Sequence, residues 1–478
     1  MDARYGRACP CATGQFKAGW LDSASDLTTY QGIHVTVAQT FGAFGAALQH
    51  QVLTDDVIHH AKRAVVDWYA ALIPGAVEPP ATLLEQALRD DLDRGDACLA
   101  LGRAATPRTA ALINGTAAHT VEVDDIYREA IYHPGAPTIA AAHAQALALK
   151  ARGADFLRAV VAGYEISTRI GAALGRAHYR YWHNTGTVGT FGAAAAAACA
   201  LRLDAHRFAH ALCTAATMAA GLQQAFRMDS MSKPLHAGHA AEAGMLAAQG
   251  AAVGMTGSLD VIDGEAGIGQ AMSQGPDWSA AVATLGRDFH ITRMTFKNHA
   301  CCGHTFAPID GALWLQRTLG ITADQIRRVQ VATYAPALAV AGNQKPTTAA
   351  EARFSLAYVV ANALLYGSVR LAAFTEQRLQ DPAVRDLMQR IELSVEPAID
   401  AAFPGQRAAQ VTIETVDGRV QTFFQPTRKG DPDAPLSDDD LSEKFLELTS
   451  PVLGDAKAHA WLAQLWRIES AVSLEVLR

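Results

Sequence analysis

At 478 residues, 50% of them hydrophobic, the chain is long enough to bury a large core and to divide into two or three domains. Forty basic against 47 acidic residues leave a net charge of -7, which excludes a general field for nucleic acid or an anionic membrane. Positive charge that meets an anionic substrate therefore has to be local.

The first 30 residues contain Arg4, Arg7, Cys9, Pro10 and Cys11 but no apolar signal core, and they read as an N-terminal extension. Cys9-Pro10-Cys11 is too short a clamp for zinc without further ligands. The seven cysteines, an odd number in a long chain, fit reduced thiols in a cytoplasm rather than a disulfide framework. No segment has the roughly 18 consecutive strongly apolar residues of a membrane span.

From residue 31 to 286 the pattern is helical. In the stretch Thr54 to Leu72, Val57, Ala61, Val65, Trp68 and Leu72 recur every three or four residues, Asp55 and Asp56 favour the first turn, and Pro74-Gly75 ends it. Later helices are rich in Ala and Gly, as in Ala193 to Ala198 and Ala237 to Gly254, which predicts close backbone packing. Between 287 and 429 the texture changes: segments beginning at Arg328, Arg390, Gln410 and Val420 alternate with period two, and Asp417-Gly418 marks a hairpin. The expected fold class is a large all-helical domain plus a smaller α+β lid domain with a mostly antiparallel sheet. Residues 430–478 are helical again and are expected to return to the first domain.

Polar clusters interrupt these elements. Asn114 to Asp125, followed by Tyr132-His133-Pro134-Gly135, would place His119 and Glu122 on one helical face with Asp125 a turn further on. Three acids in four residues also suit a solvated helix end, and their spacing matches no familiar metal site. Tyr181 to Gly192 is a Gly/Thr-rich turn entering a helix, whose free N–H groups suit a carboxylate or phosphate; it is not a dinucleotide fingerprint. In Ser232-Lys233-Pro234-Leu235-His236, Pro234 suits a helix start, so Lys233 lies at a second helix mouth, where an anion would relieve its conflict with the dipole. Phe296 to Thr305 gathers Lys297, His299, Cys301, Cys302 and His304; adjacent cysteines are poorly placed to chelate one ion, and no base pairs with either as a nucleophile. Tyr334 ends a strand.

Taken together, NGTAAHTVEVDD with HPG, WHNTGTVGTFGAAAAAA, KPLHAGHAAEAGMLAA followed by GMTGSLDVIDGEAG, and KNHACCGHTFAPIDGAL resemble, in this order, the MmgE/PrpD family, over roughly Thr36 to Ala471. That family includes 2-methylcitrate dehydratase, cis-aconitate decarboxylase and iminodisuccinate epimerase. The resemblance implies a helical domain built from both chain ends, a lid domain, a homodimer, an active site between domains, a small polycarboxylate substrate, and no metal or organic cofactor. Carried over by position, it implies catalytic roles for Glu122, His133, His183, Lys233, Lys297, His304 and Tyr334. It also implies substrate contacts from Asp125, Thr185, Thr187 and Cys302, with Cys302 competing with His304 for the lid-side position. Glu122 is a departure, because the family's acidic element opens with Asp.

The shared chemistry is a carbanion or enolate-like charge next to a carboxylate, formed or quenched as a proton moves. The lysines would neutralise carboxylates, and His133 or His183 would carry the proton. A hydro-lyase resembling 2-methylcitrate dehydratase is the expected activity, with an iminodisuccinate-type epimerase or a cis-aconitate-type decarboxylase as alternatives. A carboxylate binder without activity is disfavoured, because every polar cluster retains ionisable groups.

Overall fold

A computed structural model describes residues 35–226, 230–403 and 405–474; the N-terminal extension with Cys9 and Cys11 lies outside the described residues. The helix Asp55–Gly75 forms as its periodicity predicts. Thr54 caps it by accepting from the Val57 amide, and Val57, Ala61, Val65, Trp68 and Leu72 are all buried. Complete burial of each large side chain contributes about 1.5–3 kcal/mol, and this stripe fixes the helix against its neighbours.

The helices Pro107–Thr120, Gly135–Ala148, Gly153–Tyr179, Asn184–Ala200 and Ser232–Ala252 pack around one crowded centre. Small residues make that possible. A methyl group at Gly238 would lie 2.1 Å from Thr116 Oγ1, and one at Gly244 would lie 2.5 Å from the Thr190 carbonyl oxygen. The backbones therefore touch, and the ends of three helices that carry His119, His183 and Lys233 are drawn together. No described helix is long and apolar enough to cross a membrane.

Part of this region is not helical. β1 (Leu92–Cys98) pairs with β2 (Ala104–Ala105) in a short antiparallel ladder with a bulge, where Asp93 and Gly95 take φ values of 59° and 87°. The sequence there is polar and lacks an apolar alternation, so period-two reading misses it.

The second sheet has the order β4-β3-β5-β6, with β3 Ile326–Thr333, β4 Ile391–Val395, β5 Ala409–Thr415 and β6 Val420–Gln425. The pairs β3–β5 and β5–β6 are antiparallel and β3–β4 is parallel, so the sheet is mixed. Gly418 at φ 88° closes the β5–β6 hairpin. The helix Phe306–Leu319 covers this sheet, with Trp314 stacked on Phe423 at 3.8 Å. After the sheet, the helix Asp438–Leu453 packs on Asp55–Gly75. The architecture is thus a large helical domain beside a small α+β domain.

Candidate active site

The site begins where a helix stops. Pro107–Thr120 carries His119 in its last turn, and Glu122 then takes a φ of 62°. A non-glycine residue holds such a conformation at a cost of about 1–3 kcal/mol, and only where its surroundings over-determine it. The helical face expected for His119, Glu122 and Asp125 does not form.

Instead, each residue from 122 to 126 has its own anchor. Lys297 Nζ donates to the Glu122 carbonyl oxygen at 2.9 Å, and Lys444 Nζ donates to that of Val123 at 2.7 Å. Asp124 Oδ2 meets His119 Nδ1 at 2.7 Å. Asp125 accepts from the Gly135 amide at 2.9 Å and from the Tyr164 hydroxyl at 2.7 Å. Ile126 exchanges both backbone hydrogen bonds with Thr295, at 2.8 and 2.9 Å.

The Glu122 carboxylate, 35% exposed, meets two ammonium groups. Lys233, in the first turn of Ser232–Ala252, pairs with Oε1, and Lys297 lies 3.4 Å from Oε2. Burial opposes ionisation, yet Lys233, Lys297 and His119 hold Glu122 well below the usual carboxylate range.

Asp124 sits between two imidazoles, its Oδ2 also lying 3.2 Å from His133 Nδ1. Burial would raise this acid, but His133 and His119 hold it far down. His133 itself is pushed down to about 4, mainly by burial, which outweighs the opposing pull of Asp124 and is helped by Lys297. A neutral imidazole therefore faces an ionised carboxylate near pH 7. The His119 ring stands 4.8 Å from that of His133 and stacks on that of His183 at 5.5 Å. His183 precedes the first turn of Asn184–Ala200, and its Nδ1 lies 3.0 Å from His236 Nδ1; burial, then His119 and Lys233, push its imidazole well below its ordinary value.

Glu122, His133, His183, Lys233 and Lys297 thus lie in one cluster. His304 and Tyr334 form a second pair, Nδ1 to hydroxyl at 2.8 Å, with Tyr334 stacked on Phe403 at 4.5 Å. Burial raises Tyr334 to about 12 and lowers His304 to about 4, the latter helped by Arg407 and Arg428. The Cys302 thiol is raised by burial, against the lowering effect of the nearby Lys297 and Arg407 charges. Cys301 is pushed up to about 12 by burial and is a poor nucleophile.

Three residues expected to contact substrate have protein partners in the structure. Asp125 Oδ1 braces the start of Gly135–Ala148 and Oδ2 accepts from Tyr164 on Gly153–Tyr179, while burial raises its acid to about 8. Thr185 Oγ1 accepts from the His133 amide at 3.3 Å, and Thr187 Oγ1 bonds His178 Nε2 at 2.7 Å in the helical interior. Sequence reading passed over Asp124, His119 as an imidazole partner, and His236. The signal available was the pairing of a helix-end histidine with an acid five positions on. His119, Asp124 and His133 also bring ligand atoms within 4.8 Å of one another, a trio able to hold a cation. The His119–Asp124 hydrogen bond accounts for part of that approach.

The MmgE/PrpD N-terminal domain matches residues 39–281, and the MmgE/PrpD C-terminal domain matches residues 299–468. The "cis-aconitate decarboxylase-like protein oryM" of Aspergillus oryzae is 30% identical over 448 residues, covering 88% of this chain and 90% of its own. The cis-aconitate decarboxylase of Homo sapiens is 28% identical, covering 87% and 89%, and that of Mus musculus is 26% identical, covering 92% of each. With both domain models matched in order across most of its length, the chain belongs to the MmgE/PrpD family.

Proposed function

We propose that the protein is a cofactor-free lyase that decarboxylates an unsaturated tricarboxylate of the cis-aconitate type. The observation that carries this reading is the convergence of Lys233 and Lys297 on Glu122 beside the neutral His133. The names of the relatives support it over the hydro-lyase expected from sequence.

In cis-aconitate one carboxylate sits on a methylene next to the double bond. When its C–CO2 bond breaks, the electron pair forms a new double bond to the central carbon. The old double-bond pair moves to the far carbon and into its carboxylate as an enediolate. A proton then adds to that far carbon, leaving CO2 and an exo-methylene dicarboxylate, with no oxidant or reductant involved. Lys233 and Lys297, released from Glu122 by the incoming anion, neutralise the substrate carboxylates and the enediolate. The negative charge of bound substrate raises the proton affinity of His133, which then delivers the proton. We take the enzyme to act as a cytoplasmic homodimer.

A second reading keeps the 2-methylcitrate-type hydro-lyase, favoured by the same neutral His133 acting as a base toward an α-proton. Incubating the protein in deuterated water with cis-aconitate, 2-methylcitrate and an amino dicarboxylate separates the classes by mass. Release of CO2 from cis-aconitate is the expected result. Loss of water from 2-methylcitrate alone, or deuterium uptake without loss of mass, would contradict it.

A further inference from the structure

We propose that Lys444, on a helix that follows the sheet and outside the substrate cluster, is a positioning residue: by holding the Val123 carbonyl it keeps Glu122 and Asp124 in register with the lysines and histidines of the site. The proposal rests on the reading of this loop as the catalytic centre.

Lys444 and its partner Asp67 are each 1% exposed, and their Nζ–Oδ1 separation is 2.5 Å. Removing an ammonium from water costs several kcal/mol unless a countercharge and further hydrogen bonds compensate it, and well-packed apolar side chains would often serve stability as well. Here the second bond goes to Val123, at 2.7 Å, rather than to another part of the core. Val123 lies between the strained Glu122 and the Asp124 that bridges two imidazoles. With Lys297 on the Glu122 carbonyl, two ammonium groups from distant parts of the chain hold consecutive carbonyls of one five-residue strip.

The same helical face reaches the other half of the site. Glu447, one turn beyond Lys444, pairs with Arg370, which donates to the carbonyl and side-chain oxygens of Asn298 at 3.3 Å each. Asn298 adjoins Lys297. The helix Asp438–Leu453 therefore ties the residue after Glu122 and the residue after Lys297 to a single turn, and so sets the spacing between carboxylate and ammonium.

Two double variants test this. Asp67→Val with Lys444→Met replaces the ion pair by apolar groups and deletes the donor to Val123. Asp67→Asn with Lys444→Gln removes charge but keeps an N–H donor. Turnover is measured on whichever polycarboxylate the wild type consumes, and the His133 imidazole is titrated by NMR, a readout that needs no substrate. A wild type that consumes none would count against the function proposed above, while the titration still decides this inference. The Val/Met pair is expected to melt near the wild type, to lose roughly 10-fold or more in kcat with KM little changed, and to lower the His133 titration further, because Asp124, whose charge favours the protonated ring, is no longer held beside it. The Asn/Gln pair is expected to recover most of both. A folded Val/Met variant with wild-type kcat and His133 titration would overturn the proposal. Failure of both pairs to fold would contradict it too, since a role confined to the loop leaves the helical core intact.

Discussion

The Asp124 carboxylate lies 3.2 Å from Nδ1 of His133, and the imidazole it faces is neutral near pH 7. A carboxylate at that distance stabilises the imidazolium that the ring becomes when it takes up a proton. Asp124→Asn keeps the shape but removes the charge, so kcat is expected to fall by about 100-fold, within the range for general acid–base groups, with KM little changed. Steady-state kinetics check this. A variant within threefold of wild type would leave His133 without the role given it here.

Lys233→Ala is expected to lower turnover by roughly 100-fold, the scale for losing one charge-stabilising donor. The melting curve should barely move. The lost pair with Glu122 is partly solvated and contributes at most about 1 kcal/mol, and Lys233 sits unfavourably in the first turn of its helix. Lys233→Arg should rescue little, because a planar fork cannot replace a compact ammonium between Glu122 and the substrate. Kinetics beside thermal melts for both variants decide the point.

How much of this was legible in the sequence depended on range. The stripe Val57 to Leu72, the strands of the sheet and the Asp417-Gly418 hairpin are local patterns, and each was readable. The lysines and histidines were visible because they break apolar helices. The end of the helix at Thr120 was not, since Val121, Glu122 and Val123 include neither Gly nor Pro to signal it. The strip's conformation depends on Lys297 and Lys444, which are 175 and 321 positions away from the residues they hold. The parallel pairing of β3 with β4 is hidden for the same reason: alternation marks a strand but not its neighbour.

Asp125 tests the distinction between bracing and binding. Its acid is raised to about 8 by burial, then by Asp67, so the folded state binds a proton that the unfolded chain releases near 3.8. Stability from this group is full below that lower value and is lost as pH rises through 8. Asp125→Asn mimics the neutral acid toward both Gly135 and Tyr164. It should therefore keep activity within a few-fold and melt higher than wild type at pH 8, by roughly 1–3 kcal/mol of stability, with the gap closing toward pH 4. Loss of activity without a change in stability would make Asp125 a substrate ligand instead.

Exhaustive chelation followed by assay tests the reading that two lysines suffice to offset substrate charge. Activity is expected to survive unchanged. Stoichiometric metal at His119, Asp124 and His133, with activity lost on its removal, would reassign that trio.

Following the proton distinguishes decarboxylation from the other outcomes. Carbon-13 cis-aconitate is converted in deuterated water, and the product is read by NMR for wild type and for His133→Asn. One CO2 per product is expected, with a single deuterium on the carbon beside the surviving far carboxylate and a roughly 100-fold slower reaction in the variant. Deuterium at any other carbon, CO2 release no faster than without protein, or an unimpaired His133→Asn would contradict it.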